Sequence, residues 1–309
     1  MAMATAAAEP ATAAAGPVGA ALRAAVDLLQ TSGSPSPRLD AELLVAHALG
    51  RERSWVIAHP EATFGDTAAA RLGEWVARRA AGEPVAYIRG YKEWLSLRIG
   101  VDRRVLIPRP ETEVLAEAAI AELRGRIARA GGGRPVVGRD VGTGSGALAV
   151  AIGVALRGAL HEGTLCLEAS DSSPAALEVA AANLAGHGLE RLVRVIEADL
   201  VEDVDAWRQL DVMVANLPYV PSDEVDRLPV AASFEPREAL AGGADGLDVI
   251  RALVERVPNA VAGGGVALLE IGAGQASAVR GLAQRVGVRA AGSFYDLAGV
   301  ERVVRLERG

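Results

Sequence analysis

The tetrapeptide "NLPY", Asn216 to Tyr219, sets an amide, a leucine, a proline and a phenol in a row directly after the apolar run Val212 to Ala215. A side-chain amide oxygen accepts one hydrogen of an NH2 group, and a neighbouring backbone carbonyl can accept the other. The Tyr219 ring adds a flat face and an edge against which a planar group can lie. Asn216, Leu217, Pro218 and Tyr219 together could clamp a planar amide or base and aim its weakly nucleophilic nitrogen at an electrophile, with no strong base required. The plain structural reading of the same residues is a strand end stopped by Pro218.

A second stretch, "DVGTGSGALAV", ends an apolar strand at Asp140 and alternates Gly142, Gly144 and Gly146 with Thr143 and Ser145 before a helix begins. Glycines in such a turn let the backbone approach a ligand closely, as in dinucleotide sites. The spacing here is G-x-G-x-G rather than the pyrophosphate-binding G-x-G-x-x-G, and the carboxylate of Asp140 would repel a diphosphate. It suits a cofactor that carries a cation, such as the α-ammonium of S-adenosylmethionine. Asp171 lies 25 residues past Gly146, at the end of "TLCLEASD". A carboxylate there can accept both hydroxyls of a ribose, although a lone Asp at a strand end can also cap a helix, with Ser172 and Ser173 as rivals. Asp199, ending the next strand in "VIEADL", could meet an adenine amino group with Leu200 packed on the ring, or could be a solvated loop acid.

These residues need elements to hold them. From about Val18 to Ala81, "ALRAAVDLLQ", "LDAELLVAHALG" and "AAARLGEWVARRA" space apolar residues at three and four, which predicts a small helical bundle, with Ser36 before Pro37 as a helix lead-in. The period shifts toward two in "PVAYIRGYKEWLSLRIGVDRRVL", so residues 83–107 are expected to form a β-hairpin linker. "IPRPETE" then opens a helix, with Pro108 and Pro110 fixing its approach and Glu111 and Glu113 suited to its positive end. From Val136 onward apolar strands alternate with helical segments, which implies βαβ units and a mostly parallel sheet covered on both faces. The two terminal strands, "VRAAGSFYD" and "GVERVVRLE", lie close in sequence and predict an antiparallel edge. In such a sheet ligands sit beyond the carboxyl ends of the strands, which would bring "NLPY" beside the glycine turn. The expected organisation is an Ala-rich disordered lead over 1–17, the bundle over 18–82, the hairpin linker and an α/β domain over 108–309.

Composition bounds the partners. The chain has 309 residues, half of them hydrophobic, and a net charge of -7 with a pI near 5.3, which argues against stable sequence-independent binding to nucleic acid. Cys166 is the single cysteine, and the four histidines, His47, His59, His161 and His187, show no ligand spacing, so no metal site is expected. No apolar run approaches the roughly 18 residues that span a bilayer, and the first residues lack the pattern of a signal peptide. A reducing, cytoplasmic setting is the default.

Together these stretches resemble the class I S-adenosylmethionine-dependent methyltransferases, and more narrowly the PrmC/HemK family of release factor glutamine methyltransferases. The resemblance runs from about residue 18 to the end and rests on "PVAYIRGYKEW", "LIPRPETE", "DVGTGSGALAVAI", "SDSSPAALEVAAANL", "NLPYVP" and "FEPREALAGGADGLDVIR". It implies a Rossmann-like class I methyltransferase domain with a seven-stranded, mostly parallel sheet. It also implies N5-methylation of the glutamine in the Gly-Gly-Gln loop of class 1 peptide chain release factors. By position, Asp140, Gly142, Thr143, Gly144, Ser145, Gly146, Asp171 and Asn216 would bind the donor, with Asp199 and Leu200 near its adenine. Asn216, Leu217, Pro218 and Tyr219 would hold the glutamine amide, and the bundle would recognise the release factor, the enzyme acting as a monomer. The family usually has Asn-Pro-Pro-Tyr, whereas "NLPY" is the form seen in adenine N6-dimethyltransferases acting on ribosomal RNA. An adenine N6-methyltransferase for RNA or DNA is therefore the alternative, and a non-catalytic binding protein of the same fold a third reading. With Leu at 217, the ring's restriction on φ is lost and a modest loosening of the loop is expected.

Overall fold

Helical periodicity in the first part of the chain becomes structure because each helix buries one apolar stripe against its neighbours. The computed structural model describes residues 16–202 and 209–309. It divides into two compact units, one holding residues up to Gly90 together with Val230–Phe234 and the other holding the rest. In the first unit, helices α1 (Val18–Thr31), α2 (Pro37–Leu49), α3 (Arg53–Ala58), α4 (Asp66–Ala80) and α5 (Val85–Arg89) enclose Leu29, Leu44, Val45, Phe64 and Leu72. Ser36 does stand at the start of α2, but its hydroxyl donates to Asp40 at 2.9 Å instead of capping the backbone. Asp40 also accepts from Ser34 at 2.7 Å and pairs with the buried Arg79 at 2.7 Å, so this buried ion pair is hydrogen-bonded as burial demands.

Most of the expected disordered lead, residues 1–15, lies outside the described residues. At its end Gly16–Pro17 form a short strand, β1, that pairs antiparallel with β2 (Thr63–Phe64). The stretch read as a hairpin linker is divided between the units: Val85–Arg89 is helical, and only β3 (Tyr91–Trp94) and β4 (Leu97–Gly100) make the hairpin. Its two-residue loop, Leu95–Ser96, has φ of 48° and 60°, the left-handed geometry of a primed turn, in residues that carry none of the usual Asn-Gly signal.

The second unit is built on a seven-stranded sheet of β5 (Val136–Val141), β6 (Leu165–Asp171), β7 (Val193–Glu197), β8 (Leu210–Ala215), β9 (Val261–Glu270), β10 (Arg289–Tyr295) and β11 (Glu301–Glu307). The order is β10-β11-β9-β8-β5-β6-β7, parallel from β9 to β7, with β11 antiparallel to both β9 and β10. Every residue of β8 is buried, as a sheet covered on both faces requires. One row of helices contains α6 (Thr112–Ala130), α7 (Ala147–Ala155) and α9 (Pro174–Gly186); a short α8 (Arg157–His161) follows α7. The other pairs α10 (Asp248–Ala260) with α11 (Ala276–Arg285). The strand order reverses between β5 and β8, and it is beyond their carboxyl ends that such sheets open a crevice.

Candidate active site

The glycine turn leaves β5 at Val141 and enters α7 at Ala147. Gly142 has φ of 69°, which a side chain would strain, and a Cβ there would lie 2.8 Å from Leu217 Cδ2. Asp171 ties the turn to the end of β6: one carboxylate oxygen accepts from the Gly144 N–H at 2.9 Å and the other from the Ser173 N–H at 2.9 Å. The helix-cap role falls to Ser173, whose hydroxyl oxygen accepts from the Ala176 N–H. Asp171 is thus free of capping and half-exposed, and each of its oxygens keeps a lone pair for a ligand.

Asp140 departs from expectation. It is 0% exposed and lies beneath the turn, with Oδ2 accepting from the Thr143 hydroxyl at 2.6 Å and Oδ1 buried without a partner. Burial pushes its carboxyl up to about 7, against the pull of the Thr143 hydroxyl and the Ala149 amide. Its carboxylate does not line the cavity and sits below the turn that does. Gly146 also faces away from the opening. A Cβ there would meet Ala180 of α9 at 3.0 Å, so this glycine serves the close packing of turn on helix.

"NLPY" leaves β8 at the neighbouring strand end. Leu217 is 6% exposed and belongs to the core beneath the sheet, against the Gly142 turn. The expected loosening at 217 is offset by this burial, which anchors the segment where a proline ring would have restricted it. The Asn216 Nδ2 donates to Thr112 Oγ1 at 3.0 Å, at the first turn of α6. The Tyr219 hydroxyl lies 3.5 Å from Glu270 Oε1 at the end of β9, and burial with that acid nearby pushes its phenol up to about 12. The loop 240–246 is stitched to the same segment, with Val220 N–H donating to Leu240 O at 3.0 Å and Gly242 N–H to Val220 O at 2.8 Å. A Cβ at Gly246 would sit 2.3 Å from the Tyr219 carbonyl oxygen, which is why "AGGADGL" can press so closely on the backbone of "NLPY".

These elements enclose a cavity of about 340 Å³, within the range of small-molecule sites. Of the expected residues, Gly142, Thr143, Gly144, Ser145, Asp171, Asp199, Leu200, Asn216, Leu217 and Pro218 line it, and Asp140, Gly146 and Tyr219 do not. Leu200 reaches the wall in a left-handed conformation, φ 53°, uncommon for a residue with a Cβ. Sequence reasoning missed Arg109 and Thr112, which line the cavity, and residues outside its lining that bond to the surrounding segments. Arg109 and Glu235 join the "IPRPETE" and "EPREAL" segments: Glu235 accepts from Arg109 at 2.6 Å and from the Ile107 N–H at 3.1 Å. Asn183 of α9 accepts from the Gly100 N–H at 2.7 Å and donates to the Ser145 carbonyl at 2.7 Å, fixing the hairpin to the glycine turn. Thr112 and Glu270 were also missed. Only the side-chain network, which brings α6, β8 and β9 together, reveals them. The donor set fits an adenosyl sulfonium ligand: carboxylates of Asp171 and Asp199, the apolar Leu200 and Leu148, and the open backbone of the glycine turn on one wall. No group of residues among those described could hold a metal ion.

A sheet of this order, with a glycine turn after its first parallel strand and a cavity at the switch point, is that of a class I S-adenosylmethionine-dependent methyltransferase. Among solved structures the chain is similar to the hMettl16 catalytic domain in complex with MAT2A 3'UTR hairpin 6, with a TM-score of 0.51 and 14% identity over 79% of this chain and 84% of that one, a likeness of fold alone. The family model described as the PrmC N-terminal domain matches residues 20–90, and that of the methyltransferase small domain matches residues 133–235. A release factor glutamine methyltransferase of Rhodopirellula baltica is 36% identical over 284 residues, covering 91% of this chain and 93% of the relative. One from Bordetella pertussis is 38% identical, covering 90% and 96%. The chain belongs to the release factor glutamine methyltransferase family.

Proposed function

We propose that the protein transfers the methyl group of S-adenosylmethionine to the side-chain amide nitrogen, N5, of the glutamine in the Gly-Gly-Gln loop of class 1 peptide chain release factors. The observation that carries this reading is the Asn216 amide, held by its nitrogen on Thr112 at the cavity wall next to the glycine turn. With its nitrogen so engaged, Asn216 offers its oxygen to one hydrogen of the substrate amide, and the backbone carbonyl at Leu217 accepts the other. Both acceptors demand an NH2 group, so an ester, an acid or a secondary amide would leave a buried acceptor unpaired.

The bound donor supplies an electrophilic methyl group on a sulfonium. Asp171 would accept hydrogen bonds from its ribose, Asp199 and Leu200 would border its adenine, and the backbone from Gly142 to Ser145 would cradle its amino-acid end. Pro218 and Leu217 form an apolar wall that keeps water from the reacting nitrogen, and Tyr219 stiffens the segment from behind through Glu270. Asn216 and the Leu217 carbonyl would hold the amide nitrogen toward the donor's methyl group, and the N–H proton released after transfer would pass to solvent. Holding the amide in line supplies the rate enhancement, since no residue must ionise the acceptor beforehand. The helical unit recognises the release factor. Such a substrate supports a cytoplasmic location, and we expect a monomer.

The test is incubation with labelled donor and a release factor, beside the Gln→Ala form of its Gly-Gly-Gln loop. Label is expected only on the natural loop; equal labelling of both overturns the glutamine assignment. The adenine reading predicts label on RNA or DNA and a strongly salt-dependent affinity.

A further inference from the structure

Among the described residues that line the cavity, Arg104 and Arg109 are cationic, and they are held in different ways. Arg104 spends every guanidinium nitrogen on acids: Nε and Nη2 donate to Asp102 at 2.9 and 2.7 Å, and Nη1 donates to Glu178 at 2.7 Å. Arg109 spends one. Its Nη2 donates to Glu235 Oε1 at 2.6 Å, while Nε and Nη1 have no partner and are not sealed from solvent. A guanidinium carries five N–H donors, so most of those on Arg109 stay available to a ligand. The residue is nevertheless fixed from both ends. Its carbonyl accepts from the Nε1 of the buried Trp94 at 2.9 Å and from the Thr112 N–H at 3.2 Å. Glu235, whose side chain is 2% exposed, grips the guanidinium and also accepts from the Ile107 N–H at 3.1 Å. Through Thr112, which accepts from Asn216 Nδ2, the Arg109 segment is joined to "NLPY", whose Leu217 lies against the Gly142 turn.

S-adenosylmethionine carries one anionic group, the α-carboxylate, beside a cationic ammonium and a cationic sulfonium. The other charged residues on the cavity wall, Asp171, Asp199 and Glu238, are acids and repel a carboxylate. We infer that Arg109 binds the α-carboxylate of the methyl donor through the guanidinium nitrogens that Glu235 leaves free. This depends on the donor alone and is indifferent to which acceptor is methylated. Hydrogen bonds from a guanidinium to a carboxylate are charge-assisted, shorter and stronger than those between neutral groups. Because Glu235 and Trp94 set the arginine in place before any ligand arrives, little side-chain freedom is lost on binding. A lysine could not do the same work, since a single ammonium lacks the planar spread of donors that serves Glu235 on one side and a ligand on another.

Calorimetry with S-adenosylhomocysteine, and with its analogue lacking only the α-carboxylate, tests this without any acceptor. The wild type is expected to bind the intact ligand on the order of 10-fold to 100-fold more tightly than the analogue. In Arg109→Met, which keeps an apolar stem and removes the donors, the intact ligand is expected to weaken by that factor and the analogue to change by less than about 2-fold. Equal weakening of both ligands means only a loosened wall. Unchanged affinity for the intact ligand means that the guanidinium serves another group, such as a carbonyl of the acceptor protein. Either result overturns the assignment. The wild-type protein gives a second readout that does not depend on the methionine variant folding. The Arg109 Nε–H gives one 15N–1H signal, identified by its loss in Arg109→Lys. That signal is expected to shift on addition of S-adenosylhomocysteine and to move far less with the analogue; an equal shift with both overturns the assignment. Methyl transfer to RNA or DNA in place of a release factor overturns the proposed function and leaves the role of Arg109 standing.

Discussion

The contact between Gly142 and Leu217 can be tested as a coupled pair. An alanine at 142 would place its Cβ 2.8 Å from Leu217 Cδ2, closer than carbon atoms pack, at a φ of 69°. The left-handed backbone costs about 1–2 kcal/mol for a residue with a Cβ. The clash adds about 1 kcal/mol or more, because Leu217 is 6% exposed and its methyl has little space to retreat into. Gly142→Ala should therefore lose roughly 2–4 kcal/mol. Leu217→Ala removes a buried isobutyl group and should lose about 2–4 kcal/mol. In the double variant the backbone strain persists, the clash is gone, and the new methyl partly fills the space the leucine left. The pair should be less destabilised than the sum of the single changes by about 1–2 kcal/mol. Urea unfolding of the four proteins, with the slopes compared to confirm two-state behaviour, measures the coupling. Additivity within about 0.5 kcal/mol would show that Leu217 is not seated against the turn and would refute the claim that burial replaces the proline's restraint.

Asn216→Ala should lower turnover by on the order of 100-fold while donor affinity, measured by calorimetry, changes little; a collapse of donor binding with turnover per bound donor intact contradicts the clamp. Asp140 has its folded pKa raised to about 7, so its contribution to stability is complete below the unfolded value near 4 and is lost as the pH rises through about 7. Asp140→Asn should remove that loss, on the order of 3 kcal/mol, and unfolding free energies at pH 5 and pH 8 should converge relative to wild type; an unchanged difference places the titration elsewhere.

How much was legible in advance follows from which interactions are local. The alternation of strands and helices, the antiparallel edge and the glycine turn are written in periodicity and backbone tolerance, which are properties of neighbouring residues. Asp171 and "NLPY" could be read because strand ends in an open parallel sheet converge on one crevice. The hairpin loop Leu95–Ser96 was not legible, since its primed turn is imposed by the pairing of β3 with β4 rather than by residues that favour it. The neighbours of Tyr219 were not legible for a related reason: Gln275 donates to its backbone carbonyl at 2.9 Å and its hydroxyl stands 3.5 Å from Glu270 Oε1, contacts between residues far apart in the chain.

What the sequence by itself determined was the fold class, the donor and the place of "NLPY" at a strand end, all consequences of local pattern within each segment. Only the tertiary structure decided that Asp140 is buried beneath the turn, that Leu217 is a core residue, that Thr112 holds the Asn216 amide and that Glu270 stands beside the Tyr219 hydroxyl. Each of these depends on the meeting of residues far apart in the chain: Asn216 and Thr112 are 104 positions apart, and Tyr219 and Glu270 are 51 apart. The hydrogen bonds among them are cheap to form only once the sheet has brought them together, so no spacing along the chain announces them.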